Sequence, residues 1–219
     1  TISQLQLAVN ERRLSKMTIY PTLLGEKFEK LHPKLQQRYA LPMDQSFCAY
    51  GVMHTIKTGT KLLRPFYHLA SKSRFLFPEN GQHIPFQITN SSHMNDKGEM
   101  EVYWERVFYF PNATRHFNAK MTIDMKKQIV KDYLGDPSFF YSDLRFDVTS
   151  TGHLLIRSGK QKFVFGALEV PMPSILEGRV IVEEGYDDEK GVFTIHVSIY
   201  NDIFGRMMMY AGEFSESIS

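Results

Sequence analysis

GRVIVEEGYDDEKGVFTIHVSIYNDIFGRMMMYAGEF, residues 178–214, contains three runs in which apolar and polar side chains alternate: 178–185, 192–200 and 205–214. A period of two is the signature of a strand with one face covered. The segment DDEKG (187–191) joins the first two runs and ends at Gly191, where a tight turn calls for left-handed backbone. It is too short for a crossover helix, so the strands it joins run antiparallel. In the last run Arg206, Met208 and Tyr210 share one face, and Met207, Met209 and Ala211 share the other. Methionine on both faces has two readings: a strand packed on two sides, or a cavity wall with Met208 and Tyr210 facing an apolar ligand and Arg206 at its rim. Gly205 and Gly212 permit bending at either end.

The same period extends toward the N-terminus. FCAYGVMHTI, IPFQITN (84–90), MEVYWERVFYF (100–110), RHFNAKMTID (115–124), DLRFDVTS (143–150), HLLIRSG (153–159) and KFVFGALEV (162–170) all read as strands. TSTGH supplies another short loop, through Gly152. KKQIVKDYL (126–134) fits a helix ending at Gly135, but Ile129, Lys131 and Tyr133 alternate with Val130, Asp132 and Leu134, which favours a strand. About ten consecutive strands rarely lie flat and instead curl into a barrel or half-barrel. Between the first two strands, TKLLRPFYHLASKS (60–73) reads as a short helix capped by Thr60. Ahead of the strands, SQLQLAVNERRLSK has helical spacing, and a second helix follows YPT with Leu24, Phe28, Leu31 and Leu35 on one face. Pro33 is placed to kink or split it. The expected class is α+β, mainly antiparallel β, with residues 1–40 a helical arm packed on a strongly curved meander spanning 41–219.

Composition agrees with a globular chain: among 219 residues 42% are hydrophobic and 23% charged, and aromatics reach 13%, with 17 Phe and 11 Tyr. The net charge of +2 is spread along the chain and implies no nucleic-acid partner. Cys48 is the only cysteine, which excludes an intrachain disulfide and suits a reducing, cytoplasmic setting; on a strand it reads as a small buried hydrophobe. The chain starts at Thr1 without methionine, as expected of a processed product or a piece of a longer protein.

The stretches LHPKLQQRY, FPENGQHIPFQITN, VYWERVFYF, DYLG and NDIFGRMMMYAGEF resemble an uncharacterised bacterial domain family. Its members occur alone, behind reductase-like chains and at the C-terminus of YndJ-like membrane proteins. The resemblance implies a bacterial, cytosolic-facing domain, either free-standing or part of, or tethered to, a membrane protein. It supplies no activity and no catalytic residue.

Chemical motifs are sparse. The sequence has no phosphate-cradling glycine loop, no H-E-x-x-H, no nucleophile elbow, and eight histidines without ligand spacing, so no cofactor, metal or catalytic residue is assigned. VYWERVFYF is the sharpest oddity, because Arg106 lies between Trp104 and Phe108 on the apolar face. A guanidinium there needs a partner. The candidates are Glu183 or Glu184 on a later strand, or a ligand carboxylate or phosphate; Arg115 is a second cation that those acids could pair. His196 falls on the polar face of its strand. The resulting expectation is a non-enzymatic module that holds an apolar or amphipathic, lipid-like small molecule in a cavity. The ligand-contacting set is Trp104, Arg106, Phe108, Arg115, Glu183, Arg206, Met208 and Tyr210. The alternatives are an interaction or regulatory domain, expected to have a filled interior and an exposed apolar patch, and an enzyme acting on a lipid-like substrate.

Overall fold

The computed structural model describes residues 19–42 and 45–217. The helix expected over 3–16 lies outside them. The strands are β1 (Ser46–Thr58), β2 (Gly81–Met94), β3 (Met100–Phe110), β4 (Ala113–His116), β5 (Ala119–Asp124), β6 (Ile129–Gly135), β7 (Ser138–Val148), β8 (Leu154–Phe165), β9 (Leu168–Pro171), β10 (Arg179–Asp187), β11 (Val192–Asn201) and β12 (Gly205–Glu216). Their order is β10-β11-β12-β1-β2-β3-β5-β6-β7-β8, and β8 pairs back onto β10 from Ile181↔Arg157 to Glu184↔Leu154. That pairing closes a ten-strand antiparallel barrel and removes the sheet's free edges. β4 and β9 are short additions on β3 and β8.

Three expected boundaries move. RHFNAKMTID is broken at Phe117 and Asn118 into β4 and β5, because β3 changes partner there. HLLIRSG and KFVF form one strand, β8, which carries a bulge between its pairings to Ser142 and Leu144. KKQIVKDYL is a strand only from Ile129 onward.

The barrel has two distinct ends. At the first, α1 (Ile19–Leu24), a 3-10 turn and α2 (Pro33–Tyr39) close the opening. Pro33 does split the helix: His32 is extended, and its ring accepts from the Lys34 amide. Leu24, Leu31 and Leu35 are buried and Phe28 packs against the same core. Each fully buried leucine contributes roughly 2 kcal/mol. Gly152, in the β7–β8 turn at φ +79°, carries the docking contact, for its carbonyl accepts from the His32 amide at 2.9 Å. A Cβ at Gly152 would lie 3.2 Å from backbone atoms of Lys30 and His32.

At the opposite end lie α3 (Arg64–Lys72), the β8–β9 hairpin, a 3-10 turn at Ser174–Leu176 and the β11–β12 turn. Thr60 occupies the cap position before Lys61 but makes no side-chain capping bond. α3 is tied down instead by Tyr67, whose hydroxyl accepts from the Gly59 amide and donates to the Met207 carbonyl at 2.6 Å.

The outward faces of the strands carry Glu105, Lys131, Glu183, His196 and Glu213, interspersed with exposed Tyr50, Tyr109, Ile181 and Tyr200, so the wall is mixed in character. Cys48 also faces outward, half-buried, and accepts weakly from Gln87 and Thr89; the buried position expected for it is not found. No helix among the described residues is long and apolar enough to cross a membrane.

Candidate functional site: a cavity inside the barrel

Alternation on β3 turns Val102, Trp104, Arg106 and Phe108 inward, as the sequence required. On β12 the buried positions are Met208, Tyr210 and Phe214. Phe108 packs between Phe77 and Phe86 at ring separations of 5.0 and 5.1 Å, and meets Tyr210 edge-on at 5.3 Å. This side of the barrel is solid. Phe108, Met208 and Tyr210 are each 0% exposed and line no open space, contrary to the expected cavity wall.

The open space lies toward β5–β8 and β10–β11. It is a cavity of about 100 Å³ lined mostly by apolar side chains, including Trp104, Met121, Leu144, Ile156, Val197 and Ile199. An apolar cavity of about 150 Å³ can hold benzene; this one, at about 100 Å³, is about two-thirds of that and suits a short chain. Met172, Leu176 and Phe66 line it at the α3 end. Met207 joins them because a bulge leaves it unpaired, with Met208 opposite Ile199 and Arg206 opposite Tyr200. Strict alternation had pointed Met207 outward; the extra residue cancels that.

Two charged side chains interrupt the apolar wall, Arg106 and Asp132. The Arg106 Nε donates to the Phe117 carbonyl at 2.9 Å, and Nη1 donates to the Tyr210 hydroxyl at 3.1 Å. Its guanidinium also lies 4.1 Å from the centre of the Phe117 ring. Two of five N–H donors are therefore satisfied by protein acceptors. Among the described residues no carboxylate forms an ion pair with Arg106. Glu183, proposed for that role, points outward to His153 at 2.8 Å, and Glu184 is taken by another arginine.

Asp132 shares its inward face with Val130 and sits between Met121 on β5 and Ser142 on β7. It is 4% exposed and Oδ1 has no hydrogen-bond partner among the described groups. Burial raises its pKa from 3.8 to about 7, against the opposing pull of Arg106. A carboxyl group poised near neutrality and an arginine with spare donors therefore share one small apolar space.

Of the remaining expected residues, Arg115 pairs with Glu79 through two contacts, of 2.9 and 2.5 Å, on β4, outside the cavity. Arg206 is exposed at the start of β12. Trp104 and Arg106 are thus the members of the expected set that line the cavity. Asp132 was missed, although its alternation with Val130 and Leu134 already placed an acid on an apolar face.

A second polar cluster, also missed, locks the helix-capped end. Arg38 and Glu184 form a fully buried ion pair, and the Tyr39 hydroxyl donates to the same carboxylate at 2.6 Å. Arg38 also donates to Asn90. The rings of Tyr39, Phe47, Trp104, Phe193 and Phe214 surround its guanidinium at 4.9 to 5.6 Å. Burial alone would lower the Arg38 pKa, but the Glu184 charge overcomes it and the net shift is upward. The signal was available: Leu35, Arg38 and Tyr39 have helical spacing, which puts Arg38 on the buried face. Trp104 donates to the Tyr20 hydroxyl at 2.9 Å, linking this cluster to the wall of the cavity.

Among the described residues no three metal-ligating side chains converge. The family described as "Domain of unknown function (DUF4166)" matches residues 31–214. The uncharacterized protein YndH of Bacillus subtilis (strain 168) is 36% identical over 189 residues, covering 86% of this chain and 92% of that one.

Proposed function

The chain belongs to the DUF4166 family, and for this member we propose a non-catalytic module that binds a small amphipathic molecule inside the barrel. One observation carries the reading: an apolar cavity inside the barrel has in its wall Arg106 and Asp132, whose Oδ1 has no partner among the described groups. A buried polar atom left without a partner costs about 1–3 kcal/mol, and a ligand head group that bonds both side chains offsets that cost. A carboxylate suits the pair. It accepts from the free Arg106 donors and from Asp132 in its protonated form, which is substantially populated near neutral pH. The ligand's apolar part then runs along Met121, Leu144 and Val197 toward the methionine-lined end. The volume limits the part held inside to a short chain, so a larger lipid would leave its remainder outside.

The test uses octanoate and octanol as probes, followed by calorimetry and thermal shift. Wild type should bind octanoate more tightly than octanol, with proton uptake at neutral pH. Val197→Trp, which fills the cavity, should abolish binding while the domain stays folded. Failure of wild type to bind either probe, together with no co-purifying molecule in native mass spectrometry, would remove the proposal.

A further inference from the structure

The six most exposed large apolar side chains among the described residues are Leu62 (76%), Leu69 (68%), Leu168 (61%), Phe165 (59%), Ile175 (56%) and Ile203 (56%). They come from four separate segments: the turn into α3 and α3 itself, the β8–β9 hairpin, the 3-10 turn after β9, and the β11–β12 turn. The topology brings all four to one end of the barrel. Tyr67 of α3 bonds the β12 backbone, and Asn201 at the end of β11 donates to the carbonyls of Ile175 and Glu177. Among the described residues the large apolar side chains exposed at the helix-capped end are only Met94 (52%) and Met125 (44%), at separate turns.

The hairpin is the clearest case. Its tip reads Phe165-Gly166-Ala167-Leu168, and all four residues are exposed. Turn tips are ordinarily polar because they project into water, and this one has no polar side chain. On the helical segment, Leu62 and Leu69 are seven residues apart and share an outward stripe, flanked by Lys61, Arg64 and Lys72.

Unpaired cations lie at the same end. Lys61, Arg64, Lys72 and Arg206 form no ion pair among the described residues. The acids at this end are mostly neutralised: Glu79 by Arg115, Asp136 by Arg74, Asp202 by Arg179 and Glu169 by Lys162. The opposite end is mixed in charge: Glu26, Glu29, Asp187, Asp188 and Glu189 stand on its turns beside Lys27, Lys30, Lys126, Lys127 and Lys190.

We infer that the α3 end of the barrel docks on an anionic lipid surface. The apolar tips enter the interface between head groups and acyl chains, and the unpaired cations meet lipid phosphates and carboxylates. This inference is independent of the cavity ligand, although the same end holds Leu176, Met172 and Met207, which line the cavity.

Vesicle flotation of the full chain tests it, with phosphatidylcholine vesicles with and without phosphatidylserine. Wild type should float with the anionic vesicles at low salt, bind pure phosphatidylcholine far less, and detach as salt rises. Each basic residue near such a surface is worth about 1 kcal/mol, roughly fivefold, so the triple variant Lys61→Gln/Arg64→Gln/Lys72→Gln should lose on the order of a hundredfold in partitioning. Phe165→Ser/Leu168→Ser should lose at least tenfold, and Met94→Ser/Met125→Ser, remote from this end, should behave as wild type. Circular dichroism and Tm establish that each variant is folded. No binding of wild type to anionic vesicles, or equal binding of the tip and charge variants, overturns the inference. A wild type that ignores vesicles but self-associates in a way that the hairpin variant abolishes assigns this face to a second copy of the chain, and equally overturns it.

Discussion

Asp132→Asn tests the electrostatics of the cavity most directly. A carboxyl group whose folded pKa is about 7 against an ordinary 3.8 binds its proton more tightly in the native than in the unfolded state. Stability from that preference is fully present below about pH 3.8 and is lost as pH rises through about 7. At 1.36 kcal/mol per unit, full ionisation costs the fold about 4 kcal/mol. Part of this is already incurred at mildly acidic pH, where the unfolded chain is ionised and the native chain is not. Between about pH 5.5 and 8.5 the remaining loss is about 2 kcal/mol. Asparagine keeps the shape of the side chain and removes the titration. Urea unfolding at the two pH values gives two stabilities for each protein, and contributions common to both proteins cancel in the comparison. Wild type should lose about 2 kcal/mol more than Asp132→Asn over this interval. Parallel pH profiles, with a difference under about 0.5 kcal/mol, would mean that Asp132 is solvated or firmly paired, and the electrostatic account of the cavity would be wrong.

The Arg38–Glu184 pair should respond in the opposite sense to deletion. Arg38→Met leaves a buried carboxylate supported only by Tyr39 and should cost about 3–5 kcal/mol in denaturant midpoint analysis, while Arg38→Met/Glu184→Leu should recover most of it. Arg106→Met removes donors from Phe117 and Tyr210 and should destabilise by about 1–3 kcal/mol. It also removes the cation that pulls the Asp132 pKa down, so the alkaline loss of stability should move to higher pH in the same unfolding assay, and octanoate binding should disappear in calorimetry.

The meander was legible because each turn was short and each strand alternated. Gly152 and Gly191 marked turns, and both have positive φ. Closure was less legible, since the β8–β10 pairing depends on strand count and stagger rather than on any one residue. The face of Arg106 followed from Trp104 and Phe108, but its partners did not. Alternation tells which way a side chain points within its strand, not which of several distant strands it meets. Glu184 was therefore set opposite Arg106, when it lies beneath α2 and meets Arg38. Met207 shows a different limit: a single bulged residue reverses a face, and the sequence MMM gives no sign of which methionine it will be.

The two ends of the barrel hold their side chains by different physics, and that difference bears on how a ligand could enter. At the helix-capped end, Arg38 lies within an aromatic cage and shares Glu184 with Tyr39. Moving α2 would break a buried ion pair, so this end resists opening. At the α3 end the cavity is bordered by Met172, Met207, Leu176 and Phe66, with no buried ion pair to break. Methionine side chains are unbranched and adapt to varied shapes at small cost, and the neighbouring 3-10 turn is only three residues long. Entry from this end requires side-chain rearrangement, whereas entry from the other requires separating charges in an apolar interior. A ligand arriving through the methionine-bordered end would bring its head group to Arg106 and Asp132 and leave its apolar remainder among the side chains that the barrel already exposes there.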